Sequence, residues 1–243
     1  MLSERDLKRY DRQIRLFGAE GQERLKEARA FIAGAGGLGS PIALYLAAAG
    51  VGEIVIADRD TVELSNLNRQ ILHWERDLDK KKALSAQEKL MAVNSEIRVK
   101  AVSDTLDEEN ILDLAKGADL IIDAMDNYAT RYLLNRASLE LRVPLLHGAV
   151  NGFYGQATTV LPGKSACLRC IFANPPPPST VPVVGVTPGV IGLIQATEAI
   201  KFLTGMGETL AGKLLIWDGL RCSTDILDVQ RNPQCSDCRD LEE

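Results

Sequence analysis

The chain has 243 residues, a net charge of -5 and an apolar fraction of 46%, which fits one large α/β domain or two small ones and is ample for a buried core. The acidic balance argues against a nucleic-acid partner, and no apolar run reaches the roughly 18 residues of a membrane span. The charged N-terminus, Met1 to Tyr10, has no apolar signal core, so a cytoplasmic location is expected, with the five cysteines free or metal-bound rather than disulfide-paired.

In chain order, a helix is predicted over Ser3 to Phe17, with Leu7, Tyr10 and Ile14 at helical spacing, and a second over Ala19 to Ala28. Ala30 to Ala33 is a short apolar run that fits a buried parallel strand. Gly34-Ala35-Gly36-Gly37-Leu38-Gly39 follows as G-x-G-x-x-G, then an apolar helix over Ser40 to Ala49 with Pro41 near its first turn. Glu53 to Ala57 is a second strand, and Asp58 closes it. This is a nucleotide-binding βαβ opening: glycines let the backbone approach phosphate, the helix N-terminus favours negative charge, and a carboxylate about 20 residues on can bind ribose. Dinucleotide and ATP both remain open on this motif.

Ser65-Asn66-Leu67-Asn68-Arg69-Gln70 comes next, dense in groups that hydrogen-bond in fixed geometries, with Arg69 able to grip phosphate as a fork. Lys80-Lys81-Lys82 opens a helix whose buried face is Ala83, Ala86, Leu90 and Val93. Lysines at a helix start oppose the macrodipole and sit more easily beside an anion, although a solvated charge run is the plainer reading. Strands are predicted over Ile97 to Val102, Asp119 to Ala124 and Val143 to His147, with helices over Asn110 to Lys116 and Tyr128 to Leu141. Asp126 and Asn127 lie just past a parallel strand, where such sheets bind ligands, and Asp126 is a candidate magnesium ligand.

From Gly148 glycine punctuation suggests antiparallel strands added to the parallel sheet. Cys167 and Cys170, then Cys235 and Cys238, form two C-x-x-C pairs, which read as a structural four-thiolate zinc site stapling distant segments; a redox pair is the rival. Cys222 is left over as a buried filler. The proline-rich run Asn174 to Pro182 reads as an exposed, mobile connector, Thr187 to Gly205 as a helix and Lys213 to Leu220 as a last strand. The expected fold is a Rossmann-like, mostly parallel sheet flanked by helices, in one domain over 1–243. Its parts are N-terminal helices (1–28), a nucleotide-binding part (29–148) and a zinc-bearing part (149–243).

Together these residues resemble the ubiquitin-activating-enzyme-like adenylyltransferases, above all the bacterial and archaeal enzymes for the sulfur carriers of molybdopterin and thiamine synthesis. The resemblance runs from Arg9-Tyr10-Asp11-Arg12-Gln13 to Arg231-Asn232-Pro233-Gln234-Cys235. It implies ATP- and magnesium-dependent adenylation of the C-terminal glycine of a ubiquitin-fold sulfur carrier ending in Gly-Gly. It implies Gly37 at the nucleotide, Asp58 at the ribose, and Ser65, Asn66, Leu67, Asn68, Arg69 and Gln70 lining the site. Asn66, Arg69 and Lys82 would meet phosphates, Asp126, with Asn127 beside it, would handle magnesium, and Arg12 would reach across a homodimer into the neighbouring site.

One departure stands out. Many relatives carry a cysteine before the Thr187 helix, some using it covalently, whereas Val181 holds that place and no cysteine lies between Cys170 and Cys222. The expected enzyme therefore stops at the acyl-adenylate. A nicotinamide oxidoreductase is the first rival, but leaves the Ser65 to Gln70 cluster, Lys82 and the paired cysteines without a role. A catalytically silent partner-binding relative, and a superfamily enzyme acting on a peptide or tRNA, are the others.

Overall fold

The structure, a computed structural model, describes residues 1–175 and 181–241. Helices α1 (Glu4–Arg9) and α2 (Asp11–Glu27) lead into β1 (Arg29–Ala33), α3 (Gly39–Ala49), β2 (Glu53–Ala57), α4 (Lys82–Val93) and β3 (Arg98–Val102). Then come α5 (Ile111–Ala115), β4 (Leu120–Asp123), α6 (Tyr128–Leu141), β5 (Leu145–Asn151), β6 (Tyr154–Val160), α7 (Leu168–Ile171), α8 (Val186–Thr204), β7 (Lys213–Asp218) and β8 (Ser223–Asp228).

The strands make one sheet in the order β3-β2-β1-β4-β5-β6-β7-β8. Strands β3 to β5 in that order are parallel, and β5 to β8 pair antiparallel. The central strands read as unbroken apolar runs because both faces are covered. On one face Ile32, Ile54, Ile56 and Ile122 pack with Ile42 and Leu46 of α3, Leu90 of α4 and Ile191 of α8. On the other, Phe31, Val55, Ile121 and Leu145 pack with Ile111 of α5 and Leu134 of α6. Each such side chain contributes about 2 kcal/mol when fully buried. The chain changes direction at β1, with β2 and β3 to one side and β4 onward to the other. That switch point opens a crevice at the carboxyl ends of β1 and β4, where such sheets bind ligands.

The sequence reading needs correction at several elements. The helix expected over Ser3 to Phe17 breaks at Tyr10 (φ -102°, ψ 16°), because Tyr10 turns inward and its hydroxyl accepts a 2.8 Å bond from Asn94. Leu7 is left exposed. The boundary expected between Phe17 and Ala19 is met at Gly18, at φ 74°. Helix α4 starts only at Lys82, with Lys81 as its cap, and Val93 is on its exposed side. Strand β5 runs past Gly148 to Asn151, so the antiparallel hairpin turns at Gly152. Strand β7 is not the last: β8 pairs beside it through main-chain bonds, with every residue exposed. Cys222 is exposed in the β7–β8 turn at φ 50° and fills no core. Of the proline-rich run, Asn174, Pro175, Val181 and Pro182 are exposed, and Pro176 to Thr180 lie outside the described residues. Its end is tied down, since the Gly152 amide donates to the Pro182 carbonyl at 2.7 Å.

Candidate functional site

The glycine turn is held from three sides. Gly34 leaves β1 at φ +103°, a conformation that favours glycine, and a Cβ there would lie 2.6 Å from the Ala124 carbonyl at the end of β4. Gly39 starts α3 so close behind that its Cβ would lie 1.9 Å from the Gly34 carbonyl oxygen. From β2, Asp58 accepts the Ala35 amide at 2.8 Å through Oδ2 and the Asp60 amide at 2.9 Å through Oδ1. The sequence singles out Asp58 for ribose; what the structure shows is that it fixes the turn.

A 3₁₀ turn over Leu64–Asn66 brings the polar cluster to this turn. Asn66 is buried and its Oδ1 caps the Glu63 amide at 3.1 Å. Arg69 donates from Nη1 to the Ser65 carbonyl at 2.9 Å and to Asn68 Oδ1 at 3.2 Å, which aims its fork. Gln70 is buried against Gly36, and its Oε1 has no hydrogen-bond partner among the described residues. Ser65 and Asn68 are exposed and Leu67 half-buried. The start of α8 closes the other wall. A Cβ on Gly37 would lie 3.2 Å from Pro188 and 3.5 Å from Arg69 Cγ, and one on Gly185 would lie 2.3 Å from the Asn68 carbonyl. In the sequence Thr187-Pro188 signals only a helix start; its packing on the glycine turn is a spatial fact with no local signal.

Lys82 opens α4 with its side chain buried, and Nζ lies 3.2 Å from Asp60 Oδ2. Asp60 carries no sequence signal of its own, though it stands two residues after Asp58. Asp126 and Asn127 are exposed at the end of β4, next to the Ala124 that meets Gly34. Asn127 caps α6 by accepting the Thr130 amide at 2.9 Å. Arg131 supports this corner, donating to the Met125 carbonyl at 2.8 Å while pairing with buried Asp123 at 3.8 Å. His147 bonds Asp123 at 2.6 Å, and burial pushes its pKa down against the pull of that carboxylate.

Arg12 is not brought to this site by its own chain. Its neighbour Gln13 donates to the Ala49 carbonyl at the far end of α3. That helix has 11 residues, about 16 Å of rise away from the glycine turn. Arg12 is exposed there.

Away from the crevice, Cys167, Cys170, Cys235 and Cys238 have all four thiols within 4.8 Å of one another. Cys167 caps α7, and Asn135 holds this corner by accepting the Leu168 amide at 2.9 Å and donating to Asp237 at 3.1 Å. Burial pushes the Cys167 thiol up, and Cys238 up to about 11. Such a buried set is costly as thiolates alone and suits a divalent cation. Four cysteines at this spacing are the donor set of structural zinc.

A glycine turn at the switch point, a pinned acid after β2, and a fork-forming arginine beside a buried lysine define an α/β protein that handles a nucleotide polyphosphate. The pattern of the ThiF family matches residues 10–237, and the chain belongs to that family. The sulfur carrier protein adenylyltransferase of Thermus thermophilus is 46% identical over 97% of this chain and 92% of its own. The SAMP-activating enzyme E1 of Haloferax volcanii is 44% identical over 96% of this chain and 88% of its own. A crystal structure of E. coli MccB with AMPCPP and MccA superposes with a TM-score of 0.83 at 26% identity, covering 95% of this chain and 74% of that one. The enzyme class follows with the family: the chain is an adenylyltransferase of the ubiquitin-activating-like kind.

Proposed function

We propose that this chain uses ATP to adenylate the C-terminal glycine carboxylate of a ubiquitin-fold sulfur carrier ending in Gly-Gly. The observation that carries the reading is the Thermus thermophilus sulfur carrier protein adenylyltransferase, alike over nearly the whole of both chains. In this reading Asp58 binds the ribose, the turn at Gly37 takes the phosphates, and Ser65, Asn66, Leu67, Asn68 and Gln70 line the pocket. The carrier carboxylate attacks the α-phosphorus, the bond from that phosphorus to the α,β-bridge oxygen breaks, and pyrophosphate leaves with the electron pair. The carboxylate is already ionised, so no general base is needed, consistent with His73 and His147 being buried. Arg69 and Lys82 offset the approach of two anions and stabilise charge moving onto pyrophosphate. Asp126, beside Asn127, would hold magnesium, which supplies neutralisation of the phosphate oxygens when bound.

Arg12 completes the neighbouring site in a homodimer, since its own site lies at the other end of α3. The reaction ends at the acyl-adenylate, because Val181 stands where a cysteine would be needed for a thioester; a thiol-sensitive conjugate between carrier and this chain would overturn that part. The enzyme works in the cytoplasm and needs neither membrane nor nucleic acid. The same chemistry on a peptide or tRNA is the alternative, less favoured because the full-length relatives at 44–46% identity are carrier or SAMP enzymes by name. A catalytically silent relative would not need to keep Arg69, Lys82 and Asp126 together. ATP–pyrophosphate exchange with each small Gly-Gly protein of the same genome is the test, and exchange with none of them would sink the reading.

A further inference from the structure

The glycine turn has a support that the reaction chemistry does not use. His73 is buried, and its two ring nitrogens are both engaged: Nε2 with the Ala35 carbonyl at 2.9 Å and Nδ1 with Ser85 Oγ at 2.9 Å. A carbonyl only accepts, so Nε2 carries the hydrogen. Nδ1 must then accept from the Ser85 hydroxyl if the ring is neutral. Ser85 is free to donate because its oxygen accepts from Lys89 Nζ at 2.8 Å, and Lys89 in turn is paired with buried Asp77. Asp77 also caps the Trp74 amide at 2.8 Å. The direction of every bond in the series Lys89, Ser85, His73, Ala35 is therefore fixed by one buried ammonium. Burial holds His73 below its usual pKa, with Lys82 and Lys89 acting the same way, which agrees with a neutral ring.

The other end of Ala35 is held too, since its amide donates to Asp58. The residue between Gly34 and Gly36 thus has both its main-chain groups bonded to side chains from separate elements. We propose that His73, kept in its Nε2–H tautomer by Ser85 and Lys89, is a positioning residue that sets the glycine turn for the nucleotide. It touches no substrate and acts through the Ala35 carbonyl. Without it, the buried carbonyl keeps only the long 3.5 Å bond from the Ser40 hydroxyl, and the turn is free to rotate its amides out of line.

The inference rests on the ATP-binding part of the proposed function, so its test reads nucleotide binding directly and needs no carrier. Calorimetric titration of ATP into the whole chain would compare wild type, His73→Leu and His73→Gln. Glutamine carries an NH₂ at the reach of Nε2 and can restore the bond to Ala35. His73→Leu should weaken ATP about tenfold, the size of one lost buried hydrogen bond, and His73→Gln should return to within about threefold of wild type. A leucine variant that binds as wild type does, or a glutamine variant as weak as leucine, overturns the proposal. So does a wild type that binds no ATP. By contrast, ATP binding without any carrier-dependent exchange would overturn only the choice of carrier. Should His73→Leu not fold, ¹⁵N spectra of the wild-type imidazoles decide, because the chain has only two histidines and His73→Gln removes one set of signals. A proton on Nε2 and a bare Nδ1 are expected; a proton on Nδ1 overturns the relay.

Discussion

Two glycines of one motif should fail in opposite ways when each is changed to alanine. In Gly39→Ala the new Cβ would stand 1.9 Å from the Gly34 carbonyl oxygen, so the two must part by about 1.1 Å to reach the 3.0 Å that real contacts respect. Gly34 has little room to yield. Its amide bonds the Ala57 carbonyl at 2.7 Å and its Cα faces the Ala124 carbonyl. Overpacking of this kind costs about 3 kcal/mol at the upper end, or about 6–12 °C of Tm for a chain of this size. A shift near 1 Å in the turn should also lower turnover by about a hundredfold. In Gly36→Ala the Cβ meets only Gln70 Nε2, at 3.6 Å, and the backbone there is not at positive φ. Stability should stay within about 1 kcal/mol of wild type, but a methyl on the turn keeps phosphate away, weakening ATP by about tenfold or more. Scanning calorimetry and ATP titration on both variants separate the effects. Unchanged Tm in Gly39→Ala refutes the steric argument, and unchanged ATP affinity in Gly36→Ala refutes phosphate passage over that residue.

Three further outcomes are expected. Native mass spectrometry should find one zinc per chain, and chelation or Cys170→Ser should lower the Tm by on the order of 10 °C, since the metal joins segments far apart in sequence; an apo chain indifferent to chelators would count against the site. Asp6 is buried, which would raise its pKa, but the Lys26 ammonium and the Ser3 amide and hydroxyl outweigh this and hold it at about 2. A depressed carboxylate stabilises the fold above its unfolded value near 4 and loses that contribution as pH falls toward 2, so Asp6→Asn should cost about 2 kcal/mol at pH 7 and almost nothing at pH 2 in denaturant melts; equal cost at both would be the contrary result. Finally, Arg12→Ala and Asp126→Ala should each abolish exchange alone while leaving fold and zinc intact. Mixed and allowed to re-pair, they should recover about one quarter of wild-type activity, because half the dimers are mixed and one of their two sites is whole. No recovery on mixing would place Arg12 in its own protomer's site or in none.

What the sequence made legible follows from where the information is local. Strands β1, β2 and β4 are apolar on both sides, so their runs were read almost to the residue, and the glycine turn and cysteine pairs have fixed spacing. Strand β8 has no such signal: its residues are all exposed and its place depends on main-chain bonds to β7. Cys222 looked like a small hydrophobe because type alone was available; its left-handed turn position could not be seen. The Tyr10 break depends on Asn94, far along the chain, and so does not show in helical spacing. Within the site, Asp58, Arg69 and Lys82 stood out by residue type, whereas Asp60, His73 and the start of α8 take part through contacts across tens of residues or more.

The burial of Lys82 sets it apart from the other buried charges. Among the described residues three cations are buried: Lys82, Lys89 and Arg131. Lys89 pairs with Asp77 and Arg131 with Asp123, and both carboxylates are buried beside them. Lys82 differs, because its partner Asp60 is 59% exposed. A half-solvated partner contributes roughly 0–1 kcal/mol, while holding an ammonium away from water costs several. Lys82 is therefore left with unmet demand for negative charge, at the start of a helix where the macrodipole adds to it. Lys89 is complete without any ligand, and Arg131 has a buried carboxylate for its charge even though its Nε makes no hydrogen bond among the described residues. In the proposed reaction a polyphosphate at the glycine turn would supply what Lys82 lacks, and its departure as pyrophosphate would carry charge toward the same ammonium. The composition of the chain alone offers 28 lysines and arginines; burial without a buried partner picks out this one.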